Sequence, residues 1–194
     1  MTTATATRPV APTRLPVMPA ANVPHGLRLG AGFAAFFGTL WFVQGAAAAA
    51  GPLAAALALV PGLAIATVLV RTRRAAARAP RVVSLQAHRA ARWVGRATLW
   101  QLVVSIPGGV AVELLVDRTA LIPFVVLTVG LYLLALAPVV RRAHLWVAGA
   151  VLTVVPVVTW LAFDGTAVTI ATGLVAGAVF LAKGVADLVV SQRG

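Results

Sequence analysis

Long apolar runs, separated by short polar or Gly-Pro breaks, make up most of the chain. Residues 29–50 form the first run and residues 53–70 the second, with a Gly-Pro pair between them. At about 1.5 Å per residue, a helix needs about 20 residues to cross a hydrocarbon core of about 30 Å. The pattern therefore predicts a transmembrane hairpin over residues 29–70, with a kink at Pro61 in its second helix.

Further apolar runs fill the second half of the chain, at residues 94–116, 120–140, 144–163 and 166–186. Short turns containing Asp separate them on one side, and an arginine pair separates them on the other. A Pro-Gly-Gly step at residues 107–109 is expected to break the third helix near mid-membrane. Residues 94–190 are thus predicted to be a four-helix transmembrane part. The fold class is all-α, a polytopic membrane helix bundle with six transmembrane helices.

Residues 1–28 differ from the rest of the chain. They are rich in Thr, Ala and Pro and have no apolar period, which predicts a disordered cytoplasmic tail. One alternative concerns residues 29–50, which with the alanines at their end also resemble a signal peptide with a small-residue cleavage site. Cleavage there would leave five spans with unchanged orientation.

The overall composition supports the membrane assignment. Hydrophobic residues make up 61% of the chain and charged residues 10%, which is not the composition of a soluble domain. There is no cysteine, which excludes disulfides, thiolate metal sites and cysteine nucleophiles. Membrane topology accounts for the net charge of +12, so we expect no nucleic-acid partner.

Basic residues fall almost entirely on one side of the predicted spans. Eight of the 16 Lys and Arg residues lie between Arg71 and Arg96, with no acid among them. Basic residues near span ends stay in the cytoplasm. With both termini inside, fifteen of the 16 lie there and only Arg118 lies outside. We therefore expect a multi-pass protein of the cell membrane, the inner membrane in bacteria, with both termini cytoplasmic.

The basic cytoplasmic connection, residues 71–93, is expected to contain a short interfacial helix. After Pro80, apolar and basic residues fall on opposite faces at helical spacing, which is typical of a helix lying on the headgroups. Such a surface attracts anionic lipid by about 1 kcal/mol per basic residue, although a solvated positive loop explains the same charges. The candidate headgroup contacts are Arg81, Arg89, Arg92 and Arg96.

The ionisable residues form no recognisable catalytic or metal site. All three histidines are predicted at the inner side, whereas three of the four acids are predicted at the outer side, about a bilayer thickness away. Catalytic groups must lie within a few ångströms of one another. The remaining acid, Asp187, has Lys183 four residues before it, and we expect the two to neutralise each other. We therefore expect no enzyme, no cofactor and no metal.

Glu113 is the sharpest candidate for a functional residue. An ionisable side chain at the bilayer centre costs about 2.5–3.5 kcal/mol, so it is seldom there without a role. Glu113 lies one turn from Asp117, near the outer interface, where most of this cost disappears. Gln101 and Ser105 lie deeper on the same predicted helix, and the three residues form a candidate polar or transport site.

Gly173 and Gly177 form a G-x-x-x-G step on the last predicted span. Such a step lets another helix approach closely. In a chain this rich in Ala and Gly, we interpret it as packing within the chain, and a homodimer face is the other interpretation.

Residues 113–142 carry a resemblance to other proteins. The segment contains Glu113, Pro123, a Val-Gly-Leu-Tyr run ending at Tyr132, an Ala-Pro pair and a closing arginine pair. It resembles part of small uncharacterised multi-span bacterial integral membrane proteins, many of which have His where this chain has Tyr132. The resemblance implies an integral membrane protein and no particular activity.

Two functions follow from these observations. The first is a structural or partner-binding membrane component without a catalytic site, in contact with the lipid bilayer and with a homo-oligomer or another membrane protein as partner. The alternative is a transporter or channel for a small solute or ion that uses Glu113, Gln101 and Ser105. A transporter should place these groups around a water-accessible cavity.

Overall fold

A computed structural model of the chain describes residues 15–19, 22–72, 83–116 and 118–192. Every regular element in these ranges is a helix, which confirms the all-helical fold class for this part of the chain. Its α-helices are α1 (Val23–Ala58), α2 (Val60–Arg71), α3 (Leu85–Leu115), α4 (Leu121–Val140), α5 (Ala143–Ala162) and α6 (Thr166–Gln192). A short 3-10 turn, Arg118–Ala120, precedes α4.

Five helical stretches among the described residues are long and apolar enough to cross a membrane. The first combines α1 and α2, and the other four are α3, α4, α5 and α6. The bounds of α4 and α5 lie within one residue of those predicted, because a turn containing Asp or a charged pair ends each apolar run.

The first stretch folds back on itself. Gly51 has a φ of 80° and a ψ of −167°, a conformation that is readily open only to glycine. A Cβ at Gly62 would overlap the hydroxyl of Thr39, and Arg28 Nη1 donates a hydrogen bond to the carbonyl oxygen of Thr72 at 3.0 Å. The segments before and after Gly51 therefore lie side by side and antiparallel.

Helix α6 packs along α1 with very little space between the two backbones. A Cβ at Gly45 would lie 2.7 Å from the backbone nitrogen of Leu174, and one at Gly177 would lie 2.6 Å from that of Phe42. A Cβ at Gly173 would also meet the α1 backbone at 3.0 Å. Glycine is required at such distances. The structure thus places the predicted packing residues Gly173 and Gly177 against α1 of the same chain.

The apolar core joins α1 and α6 to the antiparallel pair α4 and α5. Trp41 and Phe180 meet edge to face with ring centroids 5.0 Å apart. Between α4 and α5, a Cβ at Gly130 would lie 2.6 Å from the backbone of Leu152. Leu152 and Val126 are fully buried. Close backbone approach and complementary large side chains therefore fix these four helices together.

Helix α3 packs mainly against α4 and is otherwise exposed. The predicted break at residues 107–109 is wrong, because α3 continues through Pro107 to Leu115. Proline is tolerated in membrane helices, and the glycines after it serve interhelical contact. A Cβ at Gly108 would lie 2.5 Å from Cζ of Phe124.

The predicted short interfacial helix is also corrected. Helix α3 begins at Leu85, where Ser84 Oγ accepts a hydrogen bond from the amide of Ala87 at 3.1 Å. It then passes residue 93 without an end, since neither Gly nor Pro stands between Leu85 and Val94. The basic residues from Arg89 onward are therefore the first turns of the third apolar helix.

The boundary of the predicted disordered tail requires a similar correction. Helix α1 begins at Val23 and not near residue 29, with a proline in its first turn, a position compatible with a helix start. Before it, the amide of Met18 donates a hydrogen bond to the carbonyl oxygen of Val139 at 2.9 Å. Residues 15–19 and 23–28 thus belong to the folded part, and residues 1–14 lie outside the described residues.

Candidate functional site

A groove of about 420 Å³ lies between α3 and α4, and we call it the α3–α4 groove. Its walls are mostly apolar. The residues that α3 contributes recur every three or four positions and therefore share one face of the helix. They are Trp93, Arg96, Ala97, Trp100, Gln101 and Val104. The residues from α4 follow the same spacing and are Thr128, Leu131, Tyr132 and Ala135.

Two hydrogen bonds tie the helices together beside this groove. The hydroxyl oxygens of Thr98 and Tyr132 lie 3.0 Å apart, and those of Ser105 and Thr128 lie 2.7 Å apart. Each pair joins α3 to α4 at a different depth. The two hydroxyls that line the groove, those of Thr128 and Tyr132, are therefore already bonded to residues of α3.

Other polar groups in the α3–α4 groove have no such partner. Within the described residues, the half-buried amide of Gln101 makes no hydrogen bond, and the indole Nε1 of Trp93 is buried without an acceptor. A buried donor that stays unsatisfied costs about 1–3 kcal/mol. The amide of Gln101 lines the groove and is available to a molecule that occupies it.

The three residues of the candidate transport site do not come together. Gln101 lines the groove, whereas Ser105 is hydrogen-bonded to Thr128. Glu113 is exposed at the far end of α3, twelve residues and about 18 Å along the helix from Gln101. They line no common cavity among those described.

The candidate lipid contacts differ in their position relative to the α3–α4 groove. Arg89, Arg92 and Arg96 are exposed on α3, and of these only Arg96 lines the groove. Arg81 lies outside the described residues. The basic stripe of α3 therefore leads into the α3–α4 groove at one end.

A second polar cluster lies on the other side of the molecule, between α5, α6 and α1. Lys183 Nζ donates to Oδ2 of Asp187 at 2.5 Å, and His144 Nε2 lies 2.8 Å from Oδ1 of the same carboxylate. Asp187 is completely buried and Lys183 nearly so. A Cβ at Gly30 would lie 3.0 Å from Asp187 Oδ2, so α1 covers the cluster. We call it the Asp187 cluster.

The geometry of the Asp187 cluster matches a structural role. An ionised carboxylate only accepts hydrogen bonds, so Nε2 of His144 carries the proton of their shared bond. Each carboxylate oxygen then has one donor, and the charge of Lys183 is balanced. The hydrogen bonds of the cluster join α5 to α6 beneath α1, and the carboxylate of Asp187 is fully buried.

The sequence pointed to part of this cluster. The pairing of Lys183 with Asp187 follows from their spacing, but the third partner, His144, was missed. The available signal was the position of His144. It stands at the start of the fifth apolar run, on the same predicted side as Asp187 at the end of the sixth run. Among the described residues, no three His, Asp or Glu side chains lie close enough to hold a metal ion.

Comparison of the chain with protein-family models, with curated proteins and with solved structures finds no match. The resemblance of residues 113–142 to small bacterial membrane proteins therefore stays a hypothesis. The geometry of the site alone carries the functional argument.

Proposed function

We propose that this chain is a non-enzymatic, multi-pass protein of the cell membrane that binds another membrane constituent in the α3–α4 groove. It crosses the membrane six times with both termini in the cytoplasm. The fold-back of the first stretch at Gly51 supports two crossings there, and the placement of basic residues supports the orientation.

The unpartnered amide of Gln101 carries this proposal. It lies five residues beyond Arg96, about 7.5 Å along α3 toward the membrane centre. In hydrocarbon there is no water to satisfy an amide, so such groups bond to a partner. Among the described residues the amide has none, and the open groove around it gives a partner access.

The same geometry favours binding over transport. A transport path for an ion or small polar solute needs lining groups that can replace its hydration. Here Ser105 is bonded to Thr128, and Glu113 lies far from Gln101 at an exposed position. The groove walls above and below Gln101 are largely apolar.

Native mass spectrometry of the gently extracted protein tests the proposal. We expect the wild-type chain to retain one bound constituent and the Gln101→Leu variant to lose it. Gln44→Leu is the matched control, because Gln44 is exposed on α1 and lies outside the groove. Retention of the same adduct by Gln101→Leu, or its equal loss in both variants, would contradict the proposal.

A further inference from the structure

We propose that the occupant of the α3–α4 groove is one anionic phospholipid from the cytoplasmic leaflet, with its phosphate at Arg96 and one acyl chain between the helices. This inference rests on the proposed function and names the partner of the same site. Three features of the groove support it.

The first feature is charge at one end of the groove only. Arg96 lines the groove, and Arg92 and Arg89 precede it by four and seven residues on the same side of α3. None of the three forms an ion pair with a described residue. The acid of α3, Glu113, lies at the opposite end of the helix. This end therefore attracts an anion, and basic pockets between helices at the cytoplasmic side suit anionic headgroups.

The second feature is length. The α3 wall extends from Trp93 to Val104, and its part from Arg96 to Val104 is about 12 Å long at 1.5 Å per residue. Half of a hydrocarbon core of about 30 Å is about 15 Å. The groove therefore begins at the basic interface and extends through most of one leaflet, as a lipid chain does.

The third feature is the order of chemical groups along the groove. At the interfacial end, where a phosphate would lie, Arg96 offers a guanidinium beside the ring of Trp93. Gln101 follows at a depth where its amide can donate to the ester carbonyls of the lipid. Beyond it the walls are apolar, with Val104 and Leu131. This order of anion-binding, donor and apolar groups matches the order of phosphate, ester carbonyls and acyl chain in a phospholipid.

The test is a titration of the delipidated full-length protein with phosphatidylglycerol and phosphatidylcholine of identical acyl chains, followed by native mass spectrometry. We expect one phosphatidylglycerol per chain, bound at least tenfold more tightly than phosphatidylcholine. Arg96→Gln should weaken phosphatidylglycerol binding about tenfold and remove the preference. Arg71→Gln, with the same change of charge at an exposed position on α2 outside the groove, should change it less than twofold.

Several results would overturn the inference. These are equal binding of the two lipids, wild-type binding by Arg96→Gln, equal weakening by both arginine variants, or a polypeptide as the retained adduct. The Gln101→Leu variant distinguishes failure of the phospholipid inference from failure of the proposed function. If Gln101→Leu loses an adduct that Arg96→Gln retains, the groove binds a constituent that is not selected by charge. If neither variant changes binding, both proposals fail.

Discussion

His144 and Asp187 are separated by 43 residues, and the Nε2 and Oδ1 atoms of their side chains lie 2.8 Å apart. This contact joins the first turn of α5 to the C-terminal part of α6, where Lys183 binds the other oxygen of the carboxylate. Because Asp187 is fully buried, the charges of the cluster depend on one another for stability.

Removal of one charge from the Asp187 cluster should destabilise the protein strongly. In Asp187→Asn, Lys183 keeps its charge in a buried position without a counterion, a defect that costs about 3–5 kcal/mol. We expect a clearly lower midpoint of thermal unfolding in detergent. Asp164→Asn makes the same change at an exposed turn and should leave the midpoint unchanged.

A double variant separates the cost of an orphaned charge from the value of the pair. Lys183→Met with Asp187→Leu removes both charges and keeps a similar volume. Such replacements are often neutral or stabilising, so we expect the double variant to be more stable than Asp187→Asn. If the double variant unfolds at the same temperature as the single one, the electrostatic explanation is wrong.

Substitution at the α1–α6 interface should separate the two helices. A Cβ at Gly177 would lie 2.6 Å from the backbone of Phe42, so Gly177→Leu forces a backbone shift. Overpacking of this kind costs about 1–3 kcal/mol or more. Gly95→Leu is the control, because a Cβ at Gly95 meets nothing within 4 Å. Thermal unfolding of the two variants tests this, and equal midpoints would refute the close packing.

The six-span topology predicts which side of the membrane each turn occupies. Because the chain has no cysteine, single cysteines report their own exposure. In intact cells we expect a charged, membrane-impermeant thiol reagent to label Ala49→Cys and Asp164→Cys but not Arg141→Cys. Labelling at position 141 together with protection at 164 would reverse the orientation. Protection at position 49 alone would argue against two crossings by residues 29–70.

Much of the fold follows from the sequence, because hydrocarbon imposes simple limits on length and polarity. The bounds of α4 and α5 and the reversal at Gly51 all follow from apolar runs and their breaks. The predicted break at residues 107–109 failed because α4 supplies the side chain, Phe124, that makes Gly108 a contact residue. A sequence pattern describes one helix, while a break or a contact depends on its neighbour.

The candidate site was predictable only in part for the same reason. Gln101 and Arg96 were identified from their polarity, but their common groove depends on the rotation of α3 against α4. Glu113 and Ser105 share the helix of Gln101 without sharing its surroundings. The link between His144 and Asp187 likewise depends on which helices are neighbours, and close glycine contacts such as Gly130 with Leu152 set that arrangement.

The most direct measurement is the reactivity of a cysteine at position 104 toward a charged thiol reagent, in the native membrane and with access from both sides. Val104 lines the groove beyond Gln101, so Val104→Cys leaves the amide of Gln101 in place. A bound membrane constituent excludes water from the groove, so we expect Val104→Cys to remain unlabelled until the protein is denatured. Glu113→Cys, at the exposed end of α3, should react readily. Labelling of position 104 in the folded protein would contradict the binding role and would favour a water-filled transport path.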